Sequence, residues 1–133
     1  MSQEYVETLR EAFDAFNRRD FDAAIATVAE EITWEPFLSE TETPLLRGKE
    51  QVRAAWEAQV VMMDVRVETE ELIPVGADKV VACIRLIAHG HGSGMSLDAP
   101  VIWVFTTGDD RLTTSVERYD SRDEALEALG LSE

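Results

Sequence analysis

A single cysteine, Cys83, occurs in the 133-residue chain. No internal disulfide can form, and its place in the apolar run Val80-Val81-Ala82-Cys83-Ile84 reads as a small buried hydrophobe. Basic residues are scarce as well: 12 Lys and Arg stand against 27 Asp and Glu, a formal net charge of −15 at pH 7. Such a surface repels nucleic acid and anionic membranes, so neither is an expected partner. A solvated negative coat accounts for the acidity without requiring a cationic substrate. No apolar run is long enough to span a bilayer. The start, Met1-Ser2-Gln3-Glu4-Tyr5, has no basic segment leading into an apolar one, so a signal peptide is not expected. The cytoplasm is the expected compartment. Internal repeats, linkers and low-complexity stretches are missing too.

What is present fits a single domain over residues 1–133. The hydrophobic fraction of 45% argues against disorder despite the charge. A chain of this length can bury about two-thirds of the surface it exposes when unfolded. Val6, Leu9, Ala12, Phe13 and Phe16 recur at helical spacing between Ser2, a candidate N-cap, and Arg19. Asp20 reads as the N-cap of a second helix with Phe21, Ala24, Ile25 and Val28 on its buried side. Ile32 to Phe37 is rich in β-formers and meets Pro36, which predicts a short edge strand. A polar loop over 38–48 precedes a third helical stretch with Val52, Ala55, Trp56, Gln59, Val60 and Met63 on one side.

Strands are predicted over 64–74, 79–89, 95–107 and 111–120, the first pair joined by the hairpin signal Val75-Gly76-Ala77-Asp78. Ser121-Arg122-Asp123-Glu124 then reads as a capped start to a short helix that stops at Gly130. Helices followed by a run of antiparallel strands indicate an α+β fold with helices packed on one side of a curved sheet. A bent sheet plugged by helices encloses a conical hollow suited to a small molecule.

The element order, the junction Asn17-Arg18-Arg19-Asp20-Phe21-Asp22 and the ending Tyr119-Asp120-Ser121-Arg122-Asp123-Glu124-Ala125-Leu126 with Gly130-Leu131 resemble the nuclear transport factor 2-like superfamily. Within it the chain is most similar to the SnoaL-like proteins, named for a polyketide cyclase. The resemblance covers essentially the whole chain. It implies the α+β cone, but it does not specify an activity, because this fold hosts cyclases, isomerases, dehydratases, epoxide hydrolases and non-catalytic members. Ketosteroid isomerases of this fold use a tyrosine and two aspartates. Aligned through Asn17, those groups fall on Ala12, Pro36 and Ile102, so that chemistry is not expected here.

The same alignment directs Trp34, Pro36, Arg85, Ile87, His89, Asp98, Pro100, Ile102, Val104, Ser115, Glu117 and Tyr119 inward. Side chains alternate along a strand, so Leu97, Ala99, Val101, Trp103 and Phe105 are expected on the opposite face. An apolar face of that size calls for a cover, which predicts a homodimer through Val101, Trp103 and Phe105. Dimerisation through the sheet is also what the resemblance implies.

A four-residue turn at 92–95 sets His89 opposite Asp98, and the next turn sets Asp98 opposite Tyr119 and Pro100 opposite Glu117. In that register Asp98 orients His89 for acid–base work, while Tyr119 and Arg85 stabilise developing negative charge. Glu117 is a supporting or second base. The alternatives are a satisfied polar cluster without catalysis and a structural Arg85–Glu117 ion pair. Trp34 and Phe37 are expected pocket walls, with Ile87, Ile102 and Ser115 beside them. His89, His91 and Asp98 have metal-like spacing, yet His91 sits in a glycine-rich turn, so no metal is expected. The glycines at 90–94 precede no helix, which rules out a phosphate cradle. No Ser or Cys nucleophile sits in a recognisable frame.

The expected function is therefore binding of a small, largely apolar, oxygen-bearing molecule. The leading expectation for its chemistry is a cofactor-independent lyase, isomerase or cyclase using acid–base groups; the alternatives are a non-catalytic ligand-binding or accessory dimer domain and a purely structural module whose cavity Trp34 and Tyr119 fill.

Overall fold

The computed structural model describes residues 2–35, 45–92 and 94–130. Pro36, Phe37 and most of the expected loop lie outside them. The first helix, α1 (Ser2–Asn17), buries Tyr5, Val6, Leu9, Phe13 and Phe16. The second, α2 (Phe21–Ile25), is capped as expected: the Ala23 amide donates to Asp20 Oδ1 at 3.2 Å. It is shorter than its apolar spacing predicts, because Val28 already opens β1 (Val28–Trp34). β1 is also not an edge. It lies between β2 (Leu46–Arg47) and β6 (Thr113–Tyr119), parallel to the latter. Helix α3 (Lys49–Met62) leads into β3 (Met63–Val75), β4 (Lys79–Gly90) and β5 (Ser96–Thr107), and α4 (Arg122–Ala128) follows β6.

The six strands form one sheet in the order β2-β1-β6-β5-β4-β3. The sheet is curved and unclosed, and irregularities in the ladder between Thr69 and Glu71 and between Thr106 and Thr107 mark where it departs from regular pairing. Such breaks bend and twist a strand locally. Helices α1, α2 and α3 cover one face, whose core joins Leu9, Phe13, Phe16 and Val52 to Val65, Ala82, Trp103 and Phe105. The other face carries a smaller cluster of Val81, Cys83 and Val104 under Ala125 of α4.

The junction after α1 acts as a brace. Asn17 presents its amide to the backbone of Val67, donating to the carbonyl and accepting from the N–H, each at 2.9 Å. This imitates one more strand partner on the edge strand β3. Arg19 turns left-handed (φ 66°), and its guanidinium donates to Asp64 at 2.7 Å and to the Phe16 carbonyl at 3.1 Å. Asp20 then caps α2. Asn17, Arg19 and Asp20 of the motif therefore each have a mechanical task.

The pleat corrects the sequence-derived facing. Val101, Trp103 and Phe105 are 2%, 6% and 3% exposed and point toward the helices. They are core, so a homodimer through them is excluded. Arg85, Ile87, His89, Asp98, Pro100, Ile102, Val104, Ser115, Glu117 and Tyr119 take the alternate positions and face the other way. The physical reason is area. The helix stripes need an apolar counterface, and tryptophan and phenylalanine hide far more surface than the polar set.

Register differs as well. His89 pairs with Ser96, Ile87 with Asp98 and Arg85 with Pro100. Across the next ladder Tyr119 pairs with Ile102 and Glu117 with Val104. The loop after β4 closes at Gly90, whose amide donates to the Met95 carbonyl at 2.8 Å. The loop is therefore centred one residue earlier than the turn expected at 92–95, which moves each β5 partner by two residues.

The facing is checked by a pair of variants. Trp103→Glu places an unpaired carboxylate in the core, an effect that ranks among the largest single-residue penalties. It is expected to abolish the cooperative thermal transition seen by circular dichroism. Ile87→Glu, on the outward side, is expected to keep a transition near that of the wild type.

Candidate functional site

Between the helices and the inner sheet face lies a cavity of about 490 Å³. Small residues open it: Ala12 of α1, Ala24 of α2, and Ala55 and Ala58 of α3 all lie on its wall. Aromatic rings give it shape. Trp34 stands at the centre of an edge-to-face set, with ring centroids 5.4 Å from Trp103, 5.7 Å from Phe105 and 5.7 Å from Trp56. Such geometry sets the positive rim of one ring against the negative face of the next. The Trp103 indole N–H donates to the Glu35 carbonyl at 3.2 Å, which fixes that ring.

Polar side chains on the wall are few. Apart from the indoles of Trp34, Trp56 and Trp103 they are Thr27, Gln59 and Thr113, and among the described residues no titratable side chain lines the cavity. Just behind the wall, the Tyr5 hydroxyl meets Thr113 Oγ1 at 2.5 Å. Burial pushes the Tyr5 phenol well above its ordinary range, with the Thr113 hydrogen bond opposing.

Of the expected site residues, Trp34 lines the cavity, and Phe37 lies outside the described residues. The others are on the far side of the sheet. There Asp98 accepts from Arg85 Nε at 2.7 Å, and Glu70 lies 3.6 Å from the same guanidinium. These partners hold the Arg85 proton more firmly than usual, the Asp98 hydrogen bond contributing most. The expected Arg85–Glu117 pair does not form, since Arg85 stands across from Pro100 and Glu117 from Val104. Tyr119 packs beside the α4 cluster, its phenol raised by burial first and then by the charges of Glu117 and Glu35. The His89–Asp98–Tyr119 row is therefore not assembled. Ile87, Ile102 and Ser115 share its outward face rather than the hollow. His91 Nε2 lies 3.3 Å from the Val60 carbonyl, against the end of α3.

Sequence reasoning missed the alanines, Gln59, Thr27 and Thr113. The alanines did leave a signal, since small residues sit inside otherwise bulky stripes: Ala12 between Leu9 and Phe13, and Ala55 beside Trp56. Thr113 left none, because a threonine at the start of a strand is common.

With this geometry, the family follows. The SnoaL-like domain matches residues 9–115, and the chain belongs to that family. No curated protein sequence matches it. Among solved structures, a Mycobacterium tuberculosis protein in complex with estradiol-17beta-hemisuccinate is similar, at 19% identity over 89% of this chain and 94% of that one, TM-score 0.77. The Δ5-3-ketosteroid isomerase of a Mycobacterium species is 17% identical over 89% and 93% of the two chains, TM-score 0.75. SalBIII, an epoxide hydrolase/cyclase-like enzyme of pyran ring formation in the polyether salinomycin, is 18% identical over 90% and 93%, TM-score 0.76. At such identities the likeness establishes the shared fold.

The structure refines the comparison with the isomerase chemistry. Ala12 does line the cavity and offers no hydroxyl there. Ile102 points outward, and its inward neighbours Val101 and Trp103 are not acids.

The buried phenol makes alkaline stability informative. Folding holds Tyr5 neutral, whereas the unfolded chain releases that proton near pH 10.0. Stability is therefore full below pH 10 and falls as pH rises beyond it. Thermal midpoints followed from neutrality into that alkaline range are expected to drop more steeply for the wild type than for Tyr5→Phe.

Proposed function

We propose that this chain binds a small, neutral, largely apolar molecule bearing an oxygen function, in the hollow between its helices and the inner sheet face. The observation that carries this reading is the composition of the wall. About 490 Å³ of space is bounded by Trp34, Trp56, Trp103, Phe105 and aliphatic side chains, with hydroxyl and carboxamide groups as its polar points. Ligand sites of this kind combine an apolar lining with a few polar groups that set orientation. A charged ligand would lose its water there without gaining a counter-ion from the described wall. The estradiol derivative in one similar structure and the steroid substrate in another's name belong to the class that such a space fits.

In this reading Asp98, His89, Tyr119, Glu117 and Arg85 do not form a catalytic centre. Their side chains leave the sheet on the side away from the ligand. The described wall holds no acid–base pair, which favours binding over isomerisation or cyclisation by these groups.

Estradiol and progesterone are suitable probes. Each is expected to raise the thermal midpoint, to quench tryptophan fluorescence saturably, and to be recovered chemically unchanged after prolonged incubation. Ala12→Phe projects a ring into the space and should weaken binding roughly tenfold or more by overpacking, with the helical signal retained. Asp98→Asn should leave both affinity and midpoint nearly unchanged. A loss of binding in Asp98→Asn, or conversion of a probe by the wild type but not by that variant, would restore the acid–base reading.

A further inference from the structure

Either hydroxyl of the Tyr5–Thr113 contact can donate on distance alone, and the surroundings of the two favour one direction. Tyr5 is 2% exposed and Thr113 is 1% exposed, and their oxygens are 2.5 Å apart. Tyr5 is not part of the cavity wall, and Thr113 is its hydrogen-bond partner among the described residues. A buried phenol without an acceptor for its proton is costly, so the Tyr5 O–H donates and Thr113 Oγ1 accepts.

A threonine hydroxyl has one proton and two lone pairs. With Tyr5 occupying a lone pair, the proton of Thr113 is left over. The main-chain amide of Thr113 is already used, donating to the Thr27 carbonyl at 2.9 Å. Thr113 lines the cavity, and a hydroxyl rotor can turn its remaining proton to that side. The neighbouring hydroxyl is different: Thr27 Oγ1 donates to the Ala24 carbonyl at 2.8 Å, which leaves only its lone pairs for the cavity. Chains of hydroxyls polarise one another, so a hydroxyl that accepts from a phenol becomes a better donor.

We propose that the Thr113 hydroxyl, held as an acceptor by Tyr5, is the hydrogen-bond donor that anchors the ligand, and that it selects a neutral apolar molecule presenting an acceptor oxygen, above all a ketone. The inference rests on the cavity being the ligand site. It deepens that reading by naming the group recognised and the residue pair that recognises it. Carboxylic acids are disfavoured, because among the described residues the wall holds no cation to pair with them.

The test uses two probes of nearly equal shape, 2-acetylnaphthalene and 2-ethylnaphthalene, titrated by tryptophan fluorescence. They differ in the carbonyl that Thr113 would meet. Thr113→Val keeps the volume and removes the donor, and it is expected to weaken the ketone about three- to tenfold, as for one neutral hydrogen bond. The hydrocarbon should stay within about twofold, since its contacts are unchanged. Thr113→Ser, which restores the hydroxyl, should recover ketone affinity. Equal effects on both probes, or no effect on either, would overturn the donor assignment while leaving the cavity reading intact.

A second measurement needs no variant. The carbonyl stretch of 2-acetylnaphthalene bound to the wild-type protein should lie at lower wavenumber than in cyclohexane. A stretch unchanged from cyclohexane overturns the proposal even if Thr113→Val fails to fold. Absence of binding by both probes to the folded wild type would remove the cavity reading and the donor with it.

Discussion

The rest of this structure depends on one packing decision: the aromatic row Trp34, Trp103 and Phe105 goes against the helices. Their rings meet edge to face within 5.4 to 6.2 Å, and each is buried. Once that row is inside, the pleat leaves no freedom. Every alternate residue on β5 must face outward, and the ladders that pair β4 and β6 with it carry the ionisable groups that look like a catalytic set to the same side. The fold thus separates its large apolar surface from its charges through the period of the strand.

The same decision makes the hollow. Rings that pack edge to face do not fill a tapering space as branched aliphatic chains do, and the alanines of α1, α2 and α3 leave gaps opposite them. The result is an apolar chamber whose polar content is a handful of hydroxyl and amide groups. An ion pair such as Arg85–Asp98, at 2.7 Å, belongs on the solvent side, where water and salt screen it and both partners keep part of their hydration. Inside, a directional group comes from paired neutral hydroxyls joined by one hydrogen bond, as Tyr5 and Thr113 are. Membership in the SnoaL-like family defines the fold and leaves the chemistry to individual side chains.

The short motifs matter because they hold that chamber open. Asn17 ties the end of α1 to the edge strand at Val67, and Arg19 ties the following turn to Asp64. On the opposite side of the sheet, Ser121 Oγ accepts from the Glu124 amide at 3.1 Å and starts α4 over Val81, Cys83 and Val104. A sheet gripped at its edge and its outer face keeps its curvature without needing side chains to fill the inside.

Much of the fold was legible along the chain. Helical spacing located α1 and α3, the Asp20 and Ser121 caps were placed correctly, and the turn at Gly76 marked the first hairpin, because each of these is a local property. The family resemblance was legible for the same reason, being carried by junction residues with local tasks. The site was not. Trp34 was placed in the wall, whereas Arg85, His89, Asp98, Glu117 and Tyr119 were assigned to the wrong face, and the pairings of His89 and Tyr119 were displaced along their ladders. Period-two alternation shows that a strand has two faces but not which one meets the helices. Turn residues suggest a loop without counting its closing bonds. The sequence by itself determined the elements, the caps, and an apolar set alternating with a polar one. Only the tertiary structure decided which set was inside, because that choice depends on the total area buried between helices and sheet, a quantity no single segment contains.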